Sequence, residues 1–257
     1  MTGKVYLIGA GPGAADLITV RGANLLARAE IVFHDALVQP EMLALAAGAR
    51  LVAVGKRCSQ ISTDQRFINR NLVEAAAKYE IVVRLKGGDP MLFGRAQEEI
   101  DALEAAGVPW EIVPGVTAGL AASAELGTSL TRRGVSRSVV FATPRVGEGE
   151  DASDWAPAVA NAETAALYMG AGHAREIARV LEAHGMPAST PVVVVVNASL
   201  PDCRKIHTSL GALKDAEPVR FEGPALLMIG EVFAGSENAA AESALISDMT
   251  MMATGSR

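Results

Sequence analysis

Cysteine is scarce in this chain of 257 residues, which contains only Cys58 and Cys203. Two distant cysteines without a CxxC pair do not make a disulfide framework, and their scarcity favours a reducing compartment. The four histidines are scattered along the sequence, so no zinc site built from closely spaced ligands is indicated. We therefore expect a functional site without a metal.

Long apolar runs are missing as well. No run reaches the roughly 18 to 20 residues that a membrane-spanning helix needs, although 50% of the residues are hydrophobic. The formal net charge of -6 argues against nucleic-acid binding across the whole surface. The first residues enter a strand pattern directly, so we expect no signal peptide. Together these absences predict a soluble, cytoplasmic protein that binds neither membrane nor nucleic acid.

Strand and helix patterns alternate through the first half of the chain. Short apolar runs such as KVYLIG and EIVVRLKG are separated by helical patterns such as VRGANLLARAE and AQEEIDALEAAG. Repeated units of this kind predict a parallel sheet with helices on both faces. A second series of strands begins after TRRGVSR. We predict an N-terminal α/β domain over residues 1–133, a C-terminal α/β domain over 137–235 and a flexible tail over 236–257.

The glycine loop GAGPGA after the first strand allows two interpretations. Gly9, Gly11 and Ala14 loosely match a dinucleotide-binding pattern, and Asp35 stands about where a ribose-binding acid would. This alternative makes the protein an NAD(P)-dependent oxidoreductase. Against it, Pro12 removes a backbone N–H, and the helical pattern begins too late to grip a pyrophosphate. A backbone loop lying close to a flat, uncharged or cationic ligand fits these residues better.

Further segments carry a resemblance to a known family. In chain order they are VYLIGAGPGAADLITVRG, VGKR, VVRLKGGDPMLFGR, VPGVTAG, SLTRRG, YMG and GPALLMIGEV. Together they resemble the uroporphyrinogen-III C-methyltransferases, which are S-adenosylmethionine-dependent tetrapyrrole methylases. The resemblance runs from about Lys4 to Val232, and the Lys-Gly-Gly-Asp-Pro turn is its most diagnostic part.

The resemblance implies a tetrapyrrole-methylase fold of two α/β domains in a homodimer. Its N-terminal sheet is largely parallel, its C-terminal sheet is mixed, and the active-site trough lies between the domains. S-adenosylmethionine lies at that junction, where glycines let the backbone come close and Asp89 accepts hydrogen bonds from the methionyl ammonium or the ribose. By resemblance, the cofactor-binding residues are Pro12, Gly87, Gly88, Asp89, Leu92, Thr117, Ala118, Met169, Ala198, Pro224 and Ala225.

The implied reaction transfers methyl groups to C2 and C7 of uroporphyrinogen III and gives precorrin-2, in sirohaem or cobalamin biosynthesis. Alignment of the reacting atoms, a general base and a positioned cation all assist such a transfer. By resemblance, Asp35 is the proton acceptor and Lys56 the proton donor. Arginines at the edges of the motifs are candidates for binding the substrate carboxylates. They are Arg21, Arg57, Arg84, Arg95, Arg132 and Arg133.

The sequence departs from the family pattern at Ala14, Arg132, Pro144–Arg145 and Cys203. These positions concern the substrate more than the cofactor, so three alternatives stay open. The first is a later precorrin C-methyltransferase of cobalamin synthesis, and the second is the oxidoreductase described above. The third is a ligand-binding protein without catalysis. No fused dehydrogenase-ferrochelatase portion is recognised, so we expect another protein to supply that activity.

Overall fold

The computed structural model describes residues 3–54, 65–146, 154–216 and 221–235. Contacts between residues divide the chain into two units, Met1–Ala118 and Gly119–Arg257. Within the described ranges, no helix is both long and apolar enough to cross a membrane.

The first unit alternates strands and helices, as its sequence predicts. Its elements are β1 (Lys4–Gly9), α1 (Val20–Leu26), β2 (Ile31–His34), α2 (Pro40–Leu43), β3 (Arg50–Ala53), α3 (Gln65–Ala76), β4 (Ile81–Lys86), α4 (Ala96–Ala105) and β5 (Trp110–Val113). Short 3-10 turns cover Ala15–Leu17 and Ala44–Ala46. The strands form one sheet in the order β3-β2-β4-β1-β5, and every neighbouring pair is parallel. The prediction of a parallel N-terminal sheet is confirmed.

Both faces of this sheet are buried, because successive side chains of a strand point to opposite faces. Val5 and Leu7 of β1 pack with Leu72 of α3. Ile8 packs on the other face with Leu26 of α1 and with the helix α2. Helices α3 and α4 therefore cover one face of the sheet, and α1 and α2 cover the other. Polar groups lie at the ends of the strands.

The second unit has a mixed sheet, also as predicted. Its elements are α5 (Ala118–Leu126), β6 (Val139–Ala142), α6 (Trp155–Ala160), β7 (Thr164–Leu167), α7 (Ala174–Ala183), β8 (Pro191–Val196), β9 (Arg204–Ser209), α8 (Leu210–Asp215) and β10 (Ala225–Gly230), with 3-10 turns at Ala171–His173 and Glu231–Phe233. The strand order is β6-β7-β10-β8-β9. β6 and β7 are parallel, and the other pairs are antiparallel.

The division between the units falls earlier in the chain than the change at 133–137 that we predict from sequence. Gly119 accounts for the difference, since its backbone N–H donates to the Tyr168 hydroxyl at 2.8 Å. A Cβ at Gly119 would also meet Phe141 and Ala166. Helix α5 therefore packs with the second sheet. The predicted tail over 236–257 lies outside the described residues.

Strand β9 and helix α8 are two elements that our sequence prediction lacks. The β9 segment RKIHTS has mostly polar side chains, so hydrophobic periodicity does not reveal it. It pairs with β8 at the edge of the sheet, where polar side chains are tolerated because a strand at the edge is less buried than one at the centre. The Ser209 hydroxyl then caps α8 by accepting from the Ala212 N–H at 3.3 Å.

Candidate functional site

The candidate site begins at one edge of the first sheet. Because its strands are parallel, their carboxyl ends share that edge, which is where ligands bind in α/β proteins. The loops that leave β1, β4 and β5 carry the glycine motifs of the sequence, and Asp35 directly follows β2. The fold therefore places Pro12, Gly87, Gly88, Asp89 and Thr117 on loops at the same edge.

Backbone contacts hold the three glycine loops together. Gly11 N–H donates to Gly88 O at 3.2 Å, and Gly88 N–H donates back to Gly11 O at 2.7 Å. A Cβ at Gly115 would lie 2.4 Å from Gly88 O and 2.8 Å from Gly9 Cα. These loops approach so closely because Gly9 and Gly115 have no side chains.

Asp89 links two of these loops. One carboxylate oxygen accepts from the Met91 N–H at 2.8 Å, and the other accepts from the Gly115 N–H at 2.9 Å. The resemblance implies that Asp89 binds the cofactor directly, and the structure adds this bracing role. Each carboxylate oxygen has a further lone pair, so the two roles are compatible.

The helix after the first glycine loop does not serve as a phosphate site. Helix α1 begins at Val20, as the sequence predicts, after a 3-10 turn. The Thr19 hydroxyl accepts from the Gly22 N–H at 3.2 Å and so caps the helix itself. The amino end of α1 is thus separated from the glycine loop by several residues. This geometry is unlike the dinucleotide-binding loop, in which the helix begins within the glycine motif.

Asp35 is held by strand β4 and by the loop that follows it. The guanidinium Nη2 of Arg84 donates to one Asp35 oxygen at 2.5 Å, and the Gly87 N–H donates to the other at 3.4 Å. The Asp35 side chain is 31% exposed, whereas the Arg84 side chain is 4% exposed. Asp35 is therefore fixed by Arg84 and Gly87 on its buried side and is accessible on its exposed side. A group that exchanges a proton with a ligand needs both properties.

Arg84 belongs to a buried network of charges. Its Nε donates to Glu99 at 2.9 Å, and Lys86 Nζ donates to both Glu99 oxygens at 3.1 and 3.0 Å. Gln65 Nε2 donates to Glu99 at 3.2 Å. The Glu99 side chain is 0% exposed, so its charge is compensated entirely within the protein.

The two cations respond differently to this environment. Burial lowers the pKa of Lys86, with a further contribution from the charge of Arg84, and Glu99 and Asp35 offset it only in part. Burial also acts to lower the pKa of Arg84, but the charges and hydrogen bonds of Asp35 and Glu99 outweigh it, so that pKa is raised. Arg84 thus stays charged, and Lys86 is the cation of the network that releases its proton more readily.

Our prediction that Arg84 binds substrate carboxylates is wrong. Its side chain is buried, and its donors are used by Asp35, Glu99 and two backbone carbonyls. Arg21 is not brought to the carboxyl edge either, since it lies 3.7 Å from Glu111 near the start of β5.

The other predicted arginines differ in their surroundings. Arg95 forms two hydrogen bonds with Glu98, at 2.6 and 2.7 Å. Arg132 and Arg133 are exposed in the second unit. Arg57, like the predicted proton donor Lys56, lies outside the described residues, so both stay predictions.

A second group of predicted residues gathers at one edge of the second sheet. Met169 follows β7, Ala198 follows β8, and Pro224 immediately precedes β10. Since Ala225 pairs with Val196 in an antiparallel ladder, the start of β10 meets the end of β8. The sheet therefore brings these separate segments to one edge.

This second edge has unusual backbone geometry. Met169, Asn197 and Ser199 have φ values of 57°, 54° and 70°, which residues with side chains adopt rarely. Asn197 is fixed there, because its Nδ2 donates to Asp202 at 2.7 Å and to the Glu222 carbonyl at 3.3 Å. The Met169 side chain remains 45% exposed. Strained, well-supported turns of this kind are common at ligand sites.

Some residues of the first site escape prediction from sequence. Glu99 lies on the apolar face of α4, with Ala96 and Leu103 one turn away on either side. A carboxylate at such a position is a detectable signal of a buried charge partner. Gly115 has no comparable signal, because its role depends on loops distant in sequence.

The second unit also has a cavity of about 690 Å³, lined by residues that include Arg132, Lys205 and His207. Its lining does not include Met169, Ala198 or Pro224. The described residues contain no group of three or more histidine, cysteine, aspartate or glutamate side chains able to hold a metal. More of the predicted site residues lie at the ends of the strands than in the lining of this cavity.

Comparison with known proteins agrees with these features. The family model for tetrapyrrole (corrin/porphyrin) methylases matches residues 4–214. A uroporphyrinogen-III C-methyltransferase of Pseudomonas aeruginosa is 42% identical over 233 residues, which cover 90% of this chain and 95% of that protein. Siroheme synthase 1 of Klebsiella pneumoniae is 43% identical over 90% of this chain and 49% of its own length. The chain thus spans about half the length of the siroheme synthases that it matches.

Solved structures give the same result. The uroporphyrin-III C-methyl transferase of Thermus thermophilus, complexed with S-adenyl homocysteine, has a TM-score of 0.80 and 40% identity. The match covers 90% of this chain and 98% of that one. A cobalt precorrin-4 methyltransferase has a TM-score of 0.70 and 30% identity, over 90% of this chain and 95% of that one. From the matched segments, the two sheets and these similarities together, we conclude that the chain belongs to the tetrapyrrole (corrin/porphyrin) methylase family.

Proposed function

We propose that the protein transfers methyl groups from S-adenosylmethionine to C2 and C7 of uroporphyrinogen III, giving precorrin-2. The observation that carries this proposal is the position of Asp35 beside Gly87. A half-exposed carboxylate, braced by Arg84 at 2.5 Å, stands next to loops whose backbone is free of side chains. The Pseudomonas aeruginosa relative, named for this activity and matched over 95% of its length, supports the same substrate.

The loops at this edge fit S-adenosylmethionine better than a dinucleotide. A Cβ at Gly87 would have only Leu37 Cβ near it among the described residues, at 3.7 Å, so the backbone there borders open space. No helix begins at the glycine loop to grip a phosphate. The proposed cofactor contacts in this unit are Pro12, Gly87, Gly88, Asp89, Leu92, Thr117 and Ala118, and those in the second unit are Met169, Ala198, Pro224 and Ala225.

The bound cofactor supplies a methyl group on a sulfonium centre, which needs no further activation. The protein therefore has to align the two reactants and to manage a proton. We propose that Asp35 accepts the proton that the macrocycle loses after methyl transfer, while Arg84 keeps its carboxylate in place. Lys56 is proposed as the proton donor on the resemblance alone.

The substrate carries many carboxylates, which arginines bind well. We propose that Arg95, Arg132, Arg133 and Arg57 contribute to this binding. Arg95 donates hydrogen bonds to Glu98. To bind a substrate carboxylate, Arg95 has to break these bonds or to use its remaining N–H groups. A homodimer in the cytoplasm, serving sirohaem or cobalamin synthesis, completes the proposal.

A second candidate is a later precorrin C-methyltransferase. It is favoured by the TM-score of 0.70 to a cobalt precorrin-4 methyltransferase and by the departures at Ala14, Arg132, Pro144–Arg145 and Cys203. Both candidates share the cofactor and differ in the tetrapyrrole.

Two measurements test the proposal in turn. In calorimetric titrations we expect S-adenosylhomocysteine to bind and NADH not to bind, and the reverse result would restore the oxidoreductase. Incubation of the protein with uroporphyrinogen III and isotope-labelled S-adenosylmethionine should then give a tetrapyrrole with two labelled methyl groups. Cofactor binding without that product would favour the second candidate, which a panel of later precorrins then tests.

A further inference from the structure

The Arg84 side chain that holds Asp35 is itself held by a buried carboxylate, Glu99, which in turn contacts a buried ammonium, Lys86. Arg84 is fixed on three sides, by Glu99 at 2.9 Å, by the carbonyls of Phe33 and Leu85 at 3.4 and 3.2 Å, and by Asp35 at 2.5 Å. Of these contacts, the Glu99 carboxylate is the one that supplies a second negative charge.

Glu99 owes its own position to Lys86 and Gln65. Lys86 Nζ contacts both of its oxygens, at 3.1 and 3.0 Å, and Gln65 contacts one at 3.2 Å. The side chains of Glu99 and Lys86 are 0% and 4% exposed. Water therefore does not compete for these contacts, and the geometry of the cluster depends on its own members.

We propose that Lys86 and Glu99 are positioning residues, which act through Arg84 to fix the orientation and the charge of the Asp35 carboxylate. This role rests on the proposed function, in which Asp35 exchanges a proton with the substrate. It assigns a purpose to two charges that are buried beneath the candidate site.

The charges of the cluster balance only when Asp35 is ionised. Arg84 and Lys86 contribute two positive charges, and Glu99 and Asp35 contribute two negative charges. Gln65, which also faces the cluster, is uncharged, and the His34 ring lies 3.2 Å from the backbone carbonyl of Asp35.

The network also costs stability, and this argues for a functional role. A buried ion pair typically contributes no more stability than apolar side chains of similar volume, because its charges lose their hydration. The lowered pKa of Lys86 reflects that cost, since burial is its largest cause. A cluster kept for packing alone would be replaceable by leucines and valines, such as those that fill the rest of this core.

Lys86 offers a direct test, because its removal changes the net charge that faces Asp35. In the wild type, Arg84, Lys86 and Glu99 together present one net positive charge to Asp35. In Lys86→Met or Lys86→Gln, the net charge of Arg84 and Glu99 is zero, so the attraction on the ionised carboxylate is weaker. In the double variant K86M/E99Q, Arg84 alone restores one positive charge.

The experiment is a pH titration of the Asp35 carboxyl carbon by NMR, in ligand-free protein labelled with carbon-13 at the aspartate side chains. The resonance is assigned by its loss in Asp35→Asn. We expect K86M and K86Q to move the midpoint of the titration to higher pH by about one unit, as removal of a nearby opposite charge does. The double variant should return it towards the wild-type position.

Glu104→Gln serves as the matched control, because Glu104 is an exposed carboxylate on the same helix α4. It should leave the titration unchanged. An unchanged midpoint in both single variants, or a shift of equal size in Glu104→Gln, would overturn the proposal. Lys86→Gln keeps a donor for Glu99, so the test stands even where Lys86→Met does not fold.

The titration needs neither cofactor nor substrate, which separates this inference from the proposed function. If the wild type failed to methylate uroporphyrinogen III, the proposed function would fall. The effect of Lys86 and Glu99 on Asp35 would still be read from the NMR data.

Discussion

Gly11 and Gly88 lie on loops far apart in sequence and exchange two backbone hydrogen bonds, at 3.2 and 2.7 Å. Their φ values of 77° and 67° are in the region that glycine adopts without strain. Because Gly115 also packs against this pair, the three loops at the carboxyl edge behave as one backbone surface. A change in any one of them should therefore affect the binding of the cofactor that we propose for these loops.

Gly115→Ala should weaken the binding of S-adenosylhomocysteine by about tenfold, which corresponds to about 1.4 kcal/mol. The new Cβ would lie 2.4 Å from Gly88 O, so both loops must shift. Calorimetric titration measures the effect. Gly48→Ala is the control, since nothing lies within 4 Å of a Cβ at that position, and equal affinities in the two variants would contradict the prediction.

Asp35→Asn should reduce methyl transfer by roughly 10²- to 10⁴-fold, the usual contribution of a general base, and should leave S-adenosylhomocysteine binding near the wild-type affinity. The amide keeps the size of the side chain but does not accept a proton. Initial rates with labelled methyl donor give the first value, and calorimetry gives the second. Asp101→Asn, at an exposed site on α4, is the control, and near-normal transfer by Asp35→Asn would remove Asp35 from the mechanism.

The double variant R132A/R133A should raise the KM for the tetrapyrrole substrate by about tenfold or more, because the loss of even one charge-assisted hydrogen bond costs about 1.5 kcal/mol. The KM for S-adenosylmethionine should change little. A second double variant, R28A/R179A, removes the same charge from exposed positions elsewhere and separates specific binding from general attraction. Equal rises in both KM values would show that these arginines do not select the substrate.

Glu163→Gln should lower the melting temperature near neutral pH, and its effect should fade in acid. Hydrogen bonds from the backbone of Arg137 lower the pKa of Glu163, with smaller contributions from Ser138. A lowered carboxyl pKa gives stability that is complete above the pKa of the unfolded chain and is lost as the pH falls through the folded value. Thermal unfolding from pH 7 down to pH 3 follows this change.

The control for that series is Glu176→Gln, on the exposed surface of helix α7. Its melting temperature should follow the wild type across the same pH range. A constant difference between Glu163→Gln and the wild type at every pH would mean that the glutamate acts through packing and not through its charge.

Much of the fold could be predicted from the sequence, because buried parallel strands such as Ile81–Lys86 read as short apolar runs with glycine at their ends. The edge strand Arg204–Ser209 could not, since no other strand of the described residues pairs with its outer side and its side chains are mostly polar. The contact-based division at Ala118 and Gly119 was not predictable either, because nothing local in the sequence shows that Gly119 contacts Tyr168.

Some residues of the candidate site could likewise be predicted from the sequence, and others could not. Asp35 and Gly87 were predictable, since charged and glycine residues after an apolar strand stand out in the sequence. The true surroundings of Arg84 were not, because its partner Asp35 is 49 residues away along the chain. Sequence spacing shows that an arginine is near the site, but only the fold shows whether it turns towards the ligand or towards the core.

Strand β9 has a consequence for how this protein behaves at high concentration. A strand at the edge of a sheet offers unpaired N–H and C=O groups to other chains. Arg204 and Lys205, both exposed, begin β9, and charged side chains on an edge strand disfavour its pairing with another copy. The polar composition that hides β9 from sequence prediction is therefore also the composition expected of an edge strand that resists aggregation.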